Sequence, residues 1–253
     1  MNSNPWKEIF DKYKIHKHNF NKEPFLISAE QIKQATSHFT KTNEKEVRIL
    51  CKQDTREDRP DVFIENNVFL LPVKNGYYAI VKGEGYIDIP EIKASPTIYK
   101  TKIDFKLETS EIGNSEMQHV DYAYASSLVR TFMNDDSLVL TIRGRKYTPH
   151  FSFRVGKQHI SVESVQTEVD AGYEGKSQVV LIEAKNSKTN NTIIRQLFYP
   201  LRQWSHFTHK AVKTLFFEKR NNFYLLWQFD FDDINDYNSI KLSKSQKFEI
   251  IDK

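Results

Sequence analysis

Cysteine is all but missing from this 253-residue chain. Cys51 stands alone, so no internal disulfide can form, and it reads as a small buried hydrophobe rather than a nucleophile. A chain without disulfides suits a reducing compartment, and a cytoplasmic location is the expectation. Long apolar runs are missing too. Nowhere do about 18 apolar residues follow one another, the length a membrane helix needs. The opening Met-Asn-Ser-Asn-Pro-Trp-Lys has no basic stretch leading into an apolar one, so neither secretion nor membrane insertion is expected. There is no Gly-rich phosphate loop and no internal repeat, and with them go the motor motifs of ATP-driven work. His206 and His209 stand three apart, but no cysteine pair or suitably spaced histidine completes a zinc set. A strong charge of one sign is also lacking. The net formal charge is +4, so a surface for nucleic acid has to be a local patch, such as Lys52, Arg56 and Arg59, or Arg143, Arg145 and Lys146.

What is present is globular in composition, with 39 % hydrophobic and 28 % charged residues, in a length that fits one large domain or two modest ones. Trp6 to Lys14 and Ser28 to Phe39 carry helical spacing, the second opened by a capping box of Ser28 and Gln31. Val47 to Cys51 is a short strand or a helical turn. Arg56 to Asn66 is expected to be one short helix entered through Pro60. Val68 to Val73 and Tyr77 to Val81 are strands joined by Lys74-Asn75-Gly76, whose Asn-Gly step signals a hairpin. Helices followed by a hairpin suggest an α+β module, either a winged helix or a small domain that only supports its neighbour. In a winged helix, Arg56 and Arg59 would lie near phosphates or base edges, with Lys74 and Asn75 on the wing, and these four are the DNA-binding candidates. Gly83, Gly85, Pro90 and Pro96 mark a boundary region. The division is placed near Phe105, giving an N-terminal domain over 1–105 and a second over 106–253.

In the second half, Ser115 to Met133 reads as one helix lined by Met117, Val120, Tyr124, Leu128 and Phe132. Leu138 to Ile142, Thr148 to Val155 and Gln158 to Val165 read as an antiparallel set leading into a strand that closes on Asp170. Ala171 to Gln178 holds two glycines, enough for a turn, and Val179 to Ala184 is a nearly continuous apolar run typical of a buried central strand. Residues two apart on a strand share a face, so the Glu183 carboxylate and the Lys185 ammonium project together. Ile193, Leu197, Leu201 and Trp204 then line a helix that Pro200 is expected to kink or divide. Val212 to Phe217 and Phe223 to Phe229 form a closing hairpin.

The acids and the lysine carry the chemistry. Two ionised carboxylates close together repel unless a proton or a cation sits between them. A hard divalent ion bound by carboxylate oxygens is the usual relief, and Mg²⁺ completes its shell with water and phosphate oxygens. Such a site suits phosphodiester hydrolysis, with Lys185 assisting the attacking water or the developing charge. Glu168 lies on the same strand face as Asp170 and rivals it, Glu163 is a weaker candidate, and Glu116 is a further acid at the start of its helix. Strand register decides among them.

Asp170, then Glu183-Ala184-Lys185 closing an apolar strand, then a helix carrying Gln196, resembles the PD-(D/E)XK nuclease superfamily, which includes most type II restriction endonucleases. It departs from the pattern at Val169, where the family's proline would stand, and at Tyr199 and Pro200, three and four residues after Gln196. The resemblance implies a mixed α/β fold with a C-terminal αβββαβ core. It implies Asp170 and Glu183 as metal ligands, Lys185 as the catalytic lysine and a site role for Gln196. Mg²⁺, with Mn²⁺ as a substitute, is the implied cofactor. The expected function is site-specific cleavage of double-stranded DNA by a homodimer, with no membrane partner. A repair or recombination nuclease that reads DNA structure, and a DNA-binding regulator with a degenerate nuclease core, are the alternatives.

Overall fold

A computed structural model describes residues 4–251. The first element, α1 (Asn4–Lys12), turns Trp6, Ile9 and Phe10 inward and is followed by β1 (Phe25–Ser28) and α2 (Ala29–Ala35). The capping box forms as its spacing predicts. Ser28 Oγ accepts from the Gln31 backbone N–H at 3.1 Å, and Gln31 Oε1 accepts from the Ser28 N–H at 2.8 Å, so both orphan donors are satisfied. Two single-turn helices follow, α3 (Thr42–Lys45) and α4 (Val47–Leu50), so Val47 to Cys51 is largely helical. The helix expected over Arg56 to Asn66 is instead a 3-10 turn at Arg56–Asp58 and a separate α5 (Asp61–Glu65). Pro60 divides them: it drives Arg59 into extended backbone (φ −68°, ψ 132°) and takes the cap position of α5 itself.

The expected hairpin is present as β2 (Val68–Lys74) and β3 (Tyr77–Lys82), turning at Asn75-Gly76, where Gly76 adopts φ +75°. With β1 it makes an antiparallel sheet of order β1-β3-β2. Alternation along the strands gives this small sheet two working faces. Val68, Leu70 and Ile80 pack with Trp6, Phe10 and Phe63 of the helices. Phe69, Leu71, Ala79 and Val81 face the other way, into a core shared with Phe153, Ile193, Phe198 and Tyr199 of the second half.

The chain continues through β4 (Tyr86–Asp88), β5 (Thr97–Lys100), α6 (Glu116–Ala125), α7 (Leu128–Met133), β6 (Val139–Tyr147), β7 (Phe151–Val155), β8 (Gln158–Val162), β9 (Gln166–Glu174) and β10 (Gln178–Lys185). It ends with β11 (Asn191–Ile193), α8 (Arg195–Ser205), β12 (Ala211–Arg220), β13 (Phe223–Phe231) and β14 (Ile240–Ile251). One large mixed sheet has the order β5-β14-β13-β12-β10-β9-β6. Within it β6, β9 and β10 run antiparallel in turn, and β12 returns parallel to β10 after α8. Helices α6 and α7 cover one face through Val120, Ala123, Leu128 and Phe132, which pack on Val180, Ile182 and Leu215. Helix α8 covers the other, where Leu197 meets Phe216 and Trp227. A strand covered on both faces loses its alternation, which is why Val179 to Ile182 is apolar throughout.

Several sequence expectations are corrected here. The helix over 115–133 breaks at Ser127, which takes φ +66°, into α6 and α7. The strands β7 and β8 leave the large sheet as a hairpin of their own, because their buried faces, Phe151, Phe153, Ile160 and Val162, belong to the shared core. The division near 105 falls too late: β5 is an edge strand of the large sheet and β4 pairs with β11. Helix α8 runs through Pro200 as a single element. Among the described residues no helix is long and apolar enough to cross a membrane.

Candidate functional site

Strands β9 and β10 pair from Glu174 opposite Val179 to Ala171 opposite Ile182. The same register places Asp170 opposite Glu183, where the ladder stops. The Asp170 side chain takes over there: its Oδ2 accepts the Ala184 backbone N–H at 2.7 Å, a bond that a ladder carbonyl would otherwise accept. On the same strand face, Lys185 Nζ donates to Glu183 Oε1 at 2.5 Å. The Glu183 side chain is 12 % exposed and that of Lys185 25 %. Three of the four expected site residues therefore meet at one strand end.

Electrostatics there are unfavourable to the charged acids. Burial, with the Asp170 charge added, pushes the Glu183 carboxyl up to about 7 even though Lys185 opposes the rise. Asp170 is also raised, first by burial and then by Glu116 and Glu168, against the pull of the Ala184 N–H and Lys185. Burial works against the Lys185 ammonium, but Glu183, Glu116 and Asp170 together hold it above the ordinary lysine range. A buried pair of carboxyls of this kind keeps a proton near neutral pH unless a cation replaces it. Among the described residues no group of three or more His, Cys, Asp or Glu side chains forms a closed cation site. A two-carboxylate arrangement leaves the remaining positions of a hard ion to water and phosphate oxygens.

The rival acids are now placed. Glu168 shares the cleft, but Arg145 Nε donates to its Oε2 at 3.1 Å across the β6–β9 pair. Glu116 lines the cleft from the first turn of α6. Glu163 is exposed after β8 and lies outside the lining. Gln196, in the first turn of α8, lines the cleft and accepts from Thr192 Oγ1 at 2.5 Å.

The cleft itself has a volume of about 730 Å³ and two unlike walls. Opposite the strand-end acids stand Arg48, Lys52 and Asp54, together with Lys74 and Asn75 of the β2–β3 turn. Asp54 is shared by Lys52 at 3.8 Å and Arg195 at 3.7 Å. Short bonds pin the walls together. The Ile193 N–H donates to Asp54 O at 2.8 Å, the Arg56 N–H to Asn191 Oδ1 at 2.7 Å, and the Tyr199 hydroxyl to Pro72 O at 3.0 Å.

Lys74 and Asn75 thus stand where a wing would face the site, but Arg56 and Arg59 do not. The Arg56 guanidinium is taken up by Asp88, Glu84 and the Tyr86 carbonyl, and Arg59 lies over the Tyr86 ring at 5.1 Å. Neither lines the cleft. Of the two basic patches expected, only Lys52 lies there. Arg143 pairs with Asp121 and Arg145 with Glu168. Sequence reasoning missed Arg48, Asp54 and Arg195. Arg195 carried the clearest signal, since it directly precedes Gln196 at a helix start.

Residues 81–249 match a family model described as a domain of unknown function (DUF6997). The chain belongs to the DUF6997 family. Its residues 3–80 match a second model, described as a domain of unknown function (DUF6996). No curated protein and no solved structure matches the chain. The two matched regions meet within β3, so the DUF6997 region carries Glu116, Asp170, Glu183, Lys185, Arg195 and Gln196. The DUF6996 region supplies the facing wall, Arg48, Lys52, Lys74 and Asn75.

Proposed function

We propose that this chain is a divalent-cation-dependent DNA endonuclease of the PD-(D/E)XK kind, acting as a type II restriction enzyme on double-stranded DNA. The observation that carries the reading is the placement of Asp170 opposite Glu183 at the end of the β9–β10 ladder, with Lys185 on the same face. The order around it supports the reading. Helices α6 and α7, then β6, β9, β10, α8 and a β12 parallel to β10 follow the αβββαβ sequence, with β7–β8 as an insertion. In the first half, a hairpin paired to an earlier strand in the order β1-β3-β2, with helices between, suits a winged-helix module.

Asp170 and Glu183 are the residues that would hold Mg²⁺ or Mn²⁺. Each keeps a second carboxylate oxygen beside the one that accepts from Ala184 or Lys185, and an all-oxygen set suits a hard cation. When bound, such an ion supplies an activated water and neutralises charge on the phosphate. The ammonium of Lys185 orients the attacking water or balances charge that develops on the phosphoryl oxygens. Gln196 and Arg195 present an amide and a guanidinium at the first turn of α8, where backbone N–H groups also favour an anion. Across the cleft, Arg48, Lys52 and Lys74 hold neighbouring phosphates and so position the strand.

One such site cuts one strand, so cleavage of a symmetric duplex calls for two copies related by a two-fold axis. Incubation of the purified protein with plasmid and Mg²⁺ tests the proposal. Discrete fragments are the expected result. Nicking only at irregular DNA structures would move the assignment to a repair or recombination nuclease, and intact DNA would favour a regulator with a degenerate core.

A further inference from the structure

A second concavity, about 560 Å³ in volume, adjoins the residues that leave β10. Its lining comes from three places: Asn114 and His119 around the start of α6, Asn186 and Lys188 after β10, and Lys219 and Asn221 at the β12–β13 turn. No carboxylate belongs to this lining among the described residues, whereas the main cleft mixes acids and bases. Two of the lining cations, Lys188 and Arg220, are already paired. Glu91 lies 3.3 Å from Lys188 and 3.2 Å from Arg220, and Arg220 also meets the buried Glu218. Lys219 differs: it makes no ion pair among the described residues. Its Nζ donates to the Asn221 carbonyl and sits 4.7 Å from the centre of the Tyr224 ring. The rim is tied by Asn186 Nδ2, which donates to Asn114 O at 3.0 Å, and by His119 Nε2, 2.9 Å from Asn114 Oδ1.

Position gives this donor-lined hollow its meaning. Lys185 lines the cleft and Asn186 lines the second concavity, with consecutive Cα atoms about 3.8 Å apart. On α6, Glu116 lines the cleft and His119, one turn on, lines the hollow. A DNA strand advances about 3.4 Å per nucleotide along the helix axis. The two linings are thus adjacent along both β10 and α6, within the few ångströms that separate successive phosphates of one strand.

We propose that the hollow is a phosphate subsite, in which Lys219, with the amides of Asn186 and Asn221, holds a backbone phosphate of the strand being cut. The proposal rests on the nuclease reading and adds to it a second point of grip on the opposite side of Lys185 from the main cleft. It is tested by binding of labelled oligonucleotides with hydroxyls at both ends, so that only backbone phosphates are present, in Ca²⁺ and across a salt series. Lys219→Ala is expected to weaken affinity roughly five- to tenfold and to lower the salt slope by about one, the scale of one lost charge-assisted phosphate contact. Lys219→Arg should recover most of the loss. Asn221→Asp is a second route that leaves Lys219 in place. Asn221 sits on an exposed turn at φ +50°, where aspartate is tolerated, and a carboxylate there should also weaken binding. If the wild type binds and cuts DNA while Lys219→Ala and Asn221→Asp bind with unchanged affinity and slope, the subsite is overturned and the nuclease reading stands. A wild type that neither binds nor cuts any DNA overturns both.

Discussion

The two walls of the cleft carry charge in opposite ways. The strand-end wall holds its acids inside: Asp170 and Glu183 are largely removed from water and raised by burial, Glu183 also by the Asp170 charge, and they are tied to one backbone N–H and one lysine. The facing wall holds exposed bases, Arg48, Lys52 and Lys74, in open positions. Buried charge of one sign costs energy and is kept where geometry matters, as at a ligand set. Exposed charge costs little and gives long-range attraction that salt screens. On this account the sheet wall performs the chemistry and the N-terminal wall recruits and positions the strand. The contrast teaches that the two halves present unlike charge to one cleft, buried acids from the large sheet and exposed bases from the N-terminal half.

The largest effect is expected where the two walls share their core. Phe69 is fully buried between them, and Phe69→Ala should cost about 3–5 kcal/mol. Denaturant unfolding followed by circular dichroism and tryptophan fluorescence should show one common transition for both halves. Separate transitions, with the second half unaffected, would mean that the walls fold independently. Next in size is Lys185→Ala. It should keep DNA binding in Ca²⁺ and lose at least about 10²-fold in single-turnover cleavage rate, as when one positioned electrostatic group is removed. Equal losses in binding and rate would make Lys185 a phosphate contact like those of the other wall.

The charge contrast can also be sharpened by pH. Glu183 has a folded value of about 7 against an ordinary 4.5. It binds more protons when folded, so its contribution to stability falls as pH rises through that interval. In metal-free buffer, Glu183→Gln should therefore be more stable than the wild type at pH 8, by about 3 kcal/mol, with the difference fading toward pH 4.5. Denaturant titrations at the two pH values check this, and an unchanged difference would mean that the acid is not strained. The smallest effects belong to the basic residues. Arg48→Ala combined with Lys74→Ala should lower the salt slope of DNA binding by about two. Arg59→Ala should leave affinity and slope alone and cost only about 1 kcal/mol of stability through the lost contact with Tyr86.

The strand-end wall was legible because its information is local. The apolar run and the two-residue spacing of Glu183 and Lys185 lie within β10 itself, so period sufficed, whereas the strand expected to close on Asp170 runs on to Glu174 and the turn expected over Ala171 to Gln178 shrinks to residues 175–177. Register was not legible: choosing Asp170 over Glu168 needed the pairing of Ala171 with Ile182 and of Glu168 with Arg145. The facing wall depended on contacts far apart in sequence. Arg56 and Arg59 have a basic, solvent-facing pattern, and only the fold brings Glu84, Asp88 and Tyr86 to them. The hairpin β7–β8 misled for the same reason. Its alternation fits a strand of any sheet, and the core it fills is built from residues 69 to 81 and 193 to 201. β14 was missed because its outward face is polar along most of its length.

The most direct test of the account is cleavage of one DNA duplex by the wild type beside Glu183→Ala, each first shown to bind that DNA in Ca²⁺ and then given Mg²⁺. The wild type should cut both strands while Glu183→Ala stays bound and leaves the DNA intact, a loss of at least about 10²–10³-fold. Cleavage by Glu183→Ala at the wild-type rate, or none by a wild type that binds, would contradict it.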